Sequence, residues 1–331
     1  MTIDYPTLNP LLHIMVINMS CMKHVIDAID LLDRKEVLPD DVEKFFKKYN
    51  IENYELKEIK GTKGKTLFVK IFIEFVKEES EKQIKTLGII GRLGGVGARP
   101  HFVGLVSDAD GAIVALATAF KLAEMKTRGD YLNCNVIITT HISTHSPIIP
   151  HEPKPFVGSP VDMMTLLRIE VDPQMDAILS IDATKANKVI KVEGFAITPT
   201  VKEGIILKVS DDLIEIYERV MDRPAAVVPI TMQDILPASV NVYHINTMML
   251  PWLVTDAPIV GVALTSRNPI SGCATGANYI YSLERATTFS VEVAKEFGKN
   301  QCQFYDTKEF ETLKKIYGDL AKKIRMLAGI K

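Results

Sequence analysis

Four short apolar runs mark the chain: Leu87 to Ile90, Asn135 to Thr140, Ala177 to Ile181 and Ile259 to Thr265. Each is continuous rather than alternating, as in strands buried on both faces. Between them the period changes. Ile113, Leu116, Ala117, Phe120 and Ala123 share one face of a helix starting near Gly111, a second helix is predicted from about Ile280 to Phe297, and a charged one over 308–327. Upstream, Tyr54 to Ile59 and Thr66 to Phe75 alternate about Gly61 to Gly64, a hairpin pattern. Val25, Ile29 and Leu32 share a face, and Pro39, Asp40 and Asp41 open a helix through Phe45 and Phe46. Residues 1–50 therefore read as a helical N-terminal lead-in, and 51–331 as an α/β domain. Residues 188–209 alternate as strands, Asp211 and Asp212 cap a helix through Val220, and Ala226 to Thr231 returns as a strand. Residues 188–245 are the stretch that can be set apart as a smaller strand-rich subdomain. Strands alternating with amphipathic helices predict a three-layer αβα sandwich with a mixed, mostly parallel sheet.

Composition narrows the partners. The 331 residues are 47% hydrophobic and 24% charged, ordinary for a globular chain. A net charge of −2, with no Lys/Arg run interleaved with aromatics, argues against nucleic acid and for small molecules. Cys21, Cys134, Cys273 and Cys302 are far apart and form no CxxC pair, which predicts reduced thiols and a cytoplasmic protein. The apolar stretch Leu11 to Met22 contains His13, Asn18 and Ser20, lacks a basic leader and is too short to span a bilayer, so neither export nor a membrane partner is expected. An apolar terminus of this kind, with Leu12 and Val16 at its centre, predicts a homo-oligomer, at least a dimer.

The chemistry gathers after the strand ends. Gly94, Gly95 and Gly97 follow the first strand with Arg92 and Arg99 among them, a loop suited to an anion, although its spacing matches neither nucleotide fingerprint. Asp108 and Asp110 precede the first core helix, where its dipole should keep both ionised. His141, His145 and His151 follow the second strand. Asp182 and Lys185 follow the third, and Arg267 the last. If these strands lie side by side, the groups converge at their C-terminal ends, where open α/β sheets bind ligands. Asp108, His141 and Asp182 then offer three ligands to Zn²⁺ or Mn²⁺, His141 or His145 a general base, and Arg92, Asp110, Lys185 and Arg267 contacts to substrate. Each has a plainer alternative: an Asp before a helix caps it, and a His in a proline loop is often structural. His13, His24 and His101 read as structural. Cys273, in a glycine loop before a helix, is a nucleophile or, more commonly, a small buried hydrophobe. Asp256, before Ala257 and Pro258, suits a turn.

The strings GRLGGVGARP, VSDADGA, AILSIDATKAN, PTVKEG, TDAPIVGVALT and GCATGA, with FYD at 304–306, resemble the prokaryotic family catalogued as domain of unknown function 1177. That resemblance implies no activity. A fainter similarity is to the co-catalytic zinc aminopeptidase and carboxypeptidase superfamily, and implies a zinc-exopeptidase-like fold. It places Asp108 at the bridging carboxylate and Asp182 at the later acidic ligand. It also places Arg92 where that superfamily has its first His, Thr140 and His141 at its Glu-Glu pair, and Gly272 and Cys273 near its last His. Two functions follow. One is a metal-assisted hydrolase of peptidase or amidohydrolase type acting on a small amide or carboxylate, with Zn or Mn. The other is a metal-free peptidase-like scaffold binding a small anionic or peptide-like ligand, as a sensor or an enzyme subunit.

Overall fold

In the computed structural model, which describes residues 20–75, 84–92, 94–150, 152, 154–236, 246–327 and 329–330, the four apolar runs form the centre of one sheet. The chain begins with α1 (Met22–Leu32) and α2 (Pro39–Lys48). The hairpin β1 (Tyr54–Gly61) and β2 (Gly64–Ile73) leads to β3 (Thr86–Gly91), α3 (Asp110–Thr127) and β4 (Asn135–Ile142). A small ribbon, β5 (Ile148–Ile149) and β6 (Phe156–Val157), precedes α4 (Met163–Glu170) and β7 (Ala177–Ala183). Then come β8 (Gly194–Ile197), β9 (Val201–Lys202), β10 (Ile205–Ile206), α5 (Asp211–Met221), α6 (Asn246–Met249) and β11 (Ile259–Thr265). Helices α7 (Ile280–Gly298), α8 (Thr307–Tyr317) and α9 (Leu320–Leu327) close the chain.

The sheet order is β1-β2-β4-β3-β7-β11-β9-β10, with β8 also paired to β11. Strands β4, β3, β7 and β11 are mutually parallel, Ile89 lying opposite Ile138 and Leu179, and Leu179 opposite Val260. Antiparallel pairing flanks this centre, so β1, β4, β3, β7, β11 and β10 share one direction against β2, β8 and β9. Side chains alternate across the sheet. Ile89, Ile138 and Leu179 face α1, α3, α5 and α7 through Val25, Phe120, Tyr217 and Phe289, while Ile90, Ile137 and Ile178 face α4, α9 and residues 246–253 through Leu167, Ile324 and Trp252. Helices thus cover both faces, giving the three-layer sandwich with a mixed sheet. Val42 and Phe46 of α2 join the same core as α1.

The connection from β3 through α3 runs to β4 on one side. The connection from β4 through α4 crosses back to β7 on the other. The strand order therefore reverses at β3, which makes its C-terminal end a topological switch point.

Three expectations differ from what is observed. Ala226 to Thr231 is not a strand: only Val227 bridges to Ile197, because Pro224 and Pro229 have no N–H for a ladder. The predicted C-terminal helix is two, broken at Gly318 with φ 66°. The cap of α5 is Ser210, whose hydroxyl accepts from the Leu213 N–H at 3.3 Å, and not Asp211 or Asp212. Residues 1–19, with His13, Leu12 and Val16, and also His151 and His244, lie outside the described residues. Among the described residues no helix is long and apolar enough to cross a membrane.

Candidate functional site

Arg92 follows β3 directly, and its N–H donates to the Ile181 carbonyl at 2.8 Å, which fixes it beside the end of β7. Its side chain is wholly buried. There Nη1 donates to Oε2 of Glu170, the last residue of α4, and Nη2 faces Met163 Sδ at 3.1 Å. Glu170 also receives His141, with Nδ1 to Oε1 at 2.6 Å. The other ring nitrogen of His141, Nε2, accepts from the Gly94 N–H at 3.2 Å, which leaves Nδ1 as the donor to Glu170. Burial by itself lifts the Glu170 carboxyl, but Arg92 and His141 outweigh it and hold it below the usual glutamate range. Glu170 was not among the residues the sequence pointed to. A glutamate at a helix C-terminus opposes the dipole, and only its buried partners explain it.

A second pair lies beside the first. Lys185 Nζ donates to Asp110 Oδ2 at 2.5 Å and to the Ala277 carbonyl at 2.9 Å, and Asn278 Nδ2 donates to Asp110 Oδ1 at 2.7 Å. Lys185 adopts left-handed backbone, φ 50°, which costs a residue with a Cβ roughly 1–2 kcal/mol. The two ion pairs neutralise the Arg92 and Lys185 charges within the cluster, while the Arg92 Nε–H is left without an acceptor among the described residues.

Asp108 and Asp182 have no such partner. Asp108, in the turn before α3, accepts from the Val157 N–H through Oδ2 at 3.1 Å, and Asp182, at the end of β7, accepts from the Ala183 N–H through Oδ1 at 2.7 Å. They are 4% and 5% exposed, and neither forms an ion pair among the described residues. Burial, then the charge of Asp182, pushes the Asp108 carboxyl up to about 7. Burial likewise pushes Asp182 up to about 7, against the opposing pull of Arg92. Burial raises Asp110 as well. The expectation that the helix dipole keeps Asp108 fully ionised is thus corrected, since the loss of water outweighs a fraction of a charge at a helix end, whereas Asp110 is held in its ion pair with Lys185. Gly272 presses its backbone on Asp108: a Cβ there would lie 2.3 Å from Oδ2.

Other expected site residues fall elsewhere. His145 is exposed, bound through Nδ1 to Thr144 Oγ1 at 2.9 Å. Arg267 is 77% exposed and pairs with Glu193 at 2.6 Å, because the chain turns outward two residues after β11. Cys273 is buried with Ala98, Val106 and Val157, its sulfur 3.1 Å from Ser271 Oγ, which fits its role as a small hydrophobe. His24 is buried and bonded to Glu124 at 2.9 Å.

The proposed metal ligands Asp108, His141 and Asp182 do not form a cage. Among the described residues no three His, Cys, Asp or Glu side chains are grouped to hold a metal ion, and both nitrogens of His141 are already engaged. The described residues of the cluster therefore do not fit a resident Zn or Mn centre.

The architecture has solved counterparts. Leucine aminopeptidase LAP1 of Caenorhabditis elegans matches with a TM-score of 0.51 at 12% identity, over 88% of this chain and 68% of that one. The LapA aminopeptidase of Legionella pneumophila matches with a TM-score of 0.44 at 9% identity, over 90% and 77%. The bottromycin maturation enzyme BotP, solved in complex with Mn, matches with 0.48 at 11%, over 86% and 76%. At 12% identity the likeness to LAP1 is one of fold alone. No curated protein sequence matches the chain. A family model does, over residues 57–326, from the β1–β2 hairpin through the whole switch-point cluster to α9. With most of its length inside that match, the chain belongs to the family described as protein of unknown function (DUF1177).

Proposed function

We propose that the chain is a hydrolase on a peptidase-like scaffold, whose switch-point cluster takes a small amide- or carboxylate-bearing molecule and exchanges protons with it through Asp108 and Asp182. The observation that carries this reading is the contrast within the cluster. Arg92, Glu170, Lys185 and Asp110 neutralise one another, while Asp108 and Asp182 stay unpaired and buried, each pushed up to about 7. A carboxyl group that is half protonated near neutral pH is suited to general acid–base chemistry. One carboxylate takes a proton from a water whose oxygen adds to the amide carbon, and the other, as the acid, gives a proton to the leaving nitrogen. No step is routed through a metal, because the donor set does not fit one.

A second reading, binding without turnover, is supported by the depth of Asp108 beneath Gly272 and Val157. Calorimetric titration with N-acylated amino acids and dipeptides in the presence of chelator, with product release followed by mass spectrometry, separates the two. Turnover that falls at least about a hundredfold in both Asp108→Asn and Asp182→Asn supports the hydrolase. Binding without product supports the scaffold. Neither binding nor product overturns both.

A further inference from the structure

Without Arg92 the cluster would set four buried carboxyl groups, Asp108, Asp110, Glu170 and Asp182, against the buried Lys185 alone. Such a surplus of buried negative charge attracts a cation unless one is already in place. Arg92 is in place. Its Cα is tied next to Asp182 by the N–H bond to Ile181, and its charge is the largest attraction drawing the proton off Asp182. Glu170 holds the guanidinium from behind through Nη1, with His141 and Met163 completing the wall. Its Nε–H, fully buried, has no acceptor among the described residues. A buried donor left unmet is costly unless a ligand or water meets it.

We propose that Arg92 is the built-in cation of this centre: the guanidinium, fixed by Glu170, stands in place of a divalent metal ion beside Asp182 and offers its free Nε–H to a carbonyl or carboxylate oxygen of the ligand. The ligand half of this inference rests on the function proposed above. The charge half does not. A planar donor suits an oxygen of a carboxylate or a polarised amide, and a fixed guanidinium repels a divalent ion approaching Asp182.

The test is calorimetric titration of Mn²⁺ and Zn²⁺ into the full chain after chelator treatment. The wild type is expected to take up no equivalent that depends on Asp182. Arg92→Met combined with Glu170→Gln removes the buried pair while leaving a glutamine oxygen for the His141 Nδ1–H. This variant is expected to bind Mn²⁺ at least about tenfold more tightly than the wild type, as a largely hydrated ion drawn to Asp182 once the fixed charge is gone, a gain lost again when Asp182→Asn is added. If it does not fold by circular dichroism, Arg92→Gln carries the same expectation. The inference is overturned if the wild type binds an equivalent that Asp182→Asn abolishes, or if a folded Arg92 variant binds Mn²⁺ no more tightly than the wild type. In the wild type, the Arg92 Nε–H proton resonance should move on addition of N-acetylglycine, and a probe that binds without moving it overturns the ligand half. If no probe binds, the function proposed above fails, while the metal titration still decides the role of Arg92.

Discussion

At the scale of single residues, the unpaired carboxyls should write themselves into the pH dependence of stability. Asp108 binds its proton at about 7 in the folded chain, far above the ordinary 3.8. The native state therefore holds more protons than the unfolded one between these values, and this contribution to stability is present below about pH 4 and lost as pH rises to 7. Asp108→Asn, which keeps an oxygen for the Val157 N–H, should match the wild type near pH 4 and exceed it above pH 7. The gain should be on the order of a few kcal/mol, read from urea unfolding at both pH values. Glu170 gives a second case. Glu170→Ala strands a buried guanidinium and should cost about 3–5 kcal/mol, whereas the paired change Arg92→Met with Glu170→Gln should recover most of that loss. Arg92, Asp108 and Asp182 were legible in the sequence as polar groups after apolar runs. Glu170 was not, since nothing local distinguishes it from any glutamate ending a short helix.

At the scale of elements, the tightest joint is between α3 and the strand ends beneath it. A Cβ at Gly111 would lie 2.6 Å from the carbonyl oxygens of both Arg92 and Ile181, so the helix can seat against β3 and β7 only without a side chain there. Helix propensity favours alanine over glycine by about 1 kcal/mol. Backbone overlap outweighs it, and Gly111→Ala should destabilise by about 1–3 kcal/mol in urea unfolding with the slope unchanged. The strands of the sheet's centre were legible because runs buried on both faces need no partner to be recognised. Helix α4 was not, lying just past the proline-rich stretch of residues 146–160, where no helical period extends far enough to be read.

At the scale of the whole molecule, the expected homo-oligomer still depends on surface outside the strand-end cluster. Ile316, Tyr317, Met326 and Leu327, on α8 and α9, are exposed by 68%, 53%, 68% and 87%, a set of apolar side chains suited to a subunit contact. Light scattering coupled to size exclusion should give at least a dimer. Ile316→Asp with Leu327→Asp should dissociate it if α8 and α9 form the contact, and Leu12→Asp with Val16→Asp if the terminal stretch does; a monomer across a hundredfold range of about micromolar concentrations would falsify association. By itself the sequence determined the strands of the sheet's centre, the sandwich and the concentration of charged groups after the strands, because apolar period and length are local properties. Only the tertiary structure decided which charges neutralise one another. Arg92 meets Glu170 across 78 residues, Lys185 meets Asp110 across 75, and His141 turns both nitrogens inward, so the pairing that leaves Asp108 and Asp182 unpaired arises from the reversal of strand order at β3.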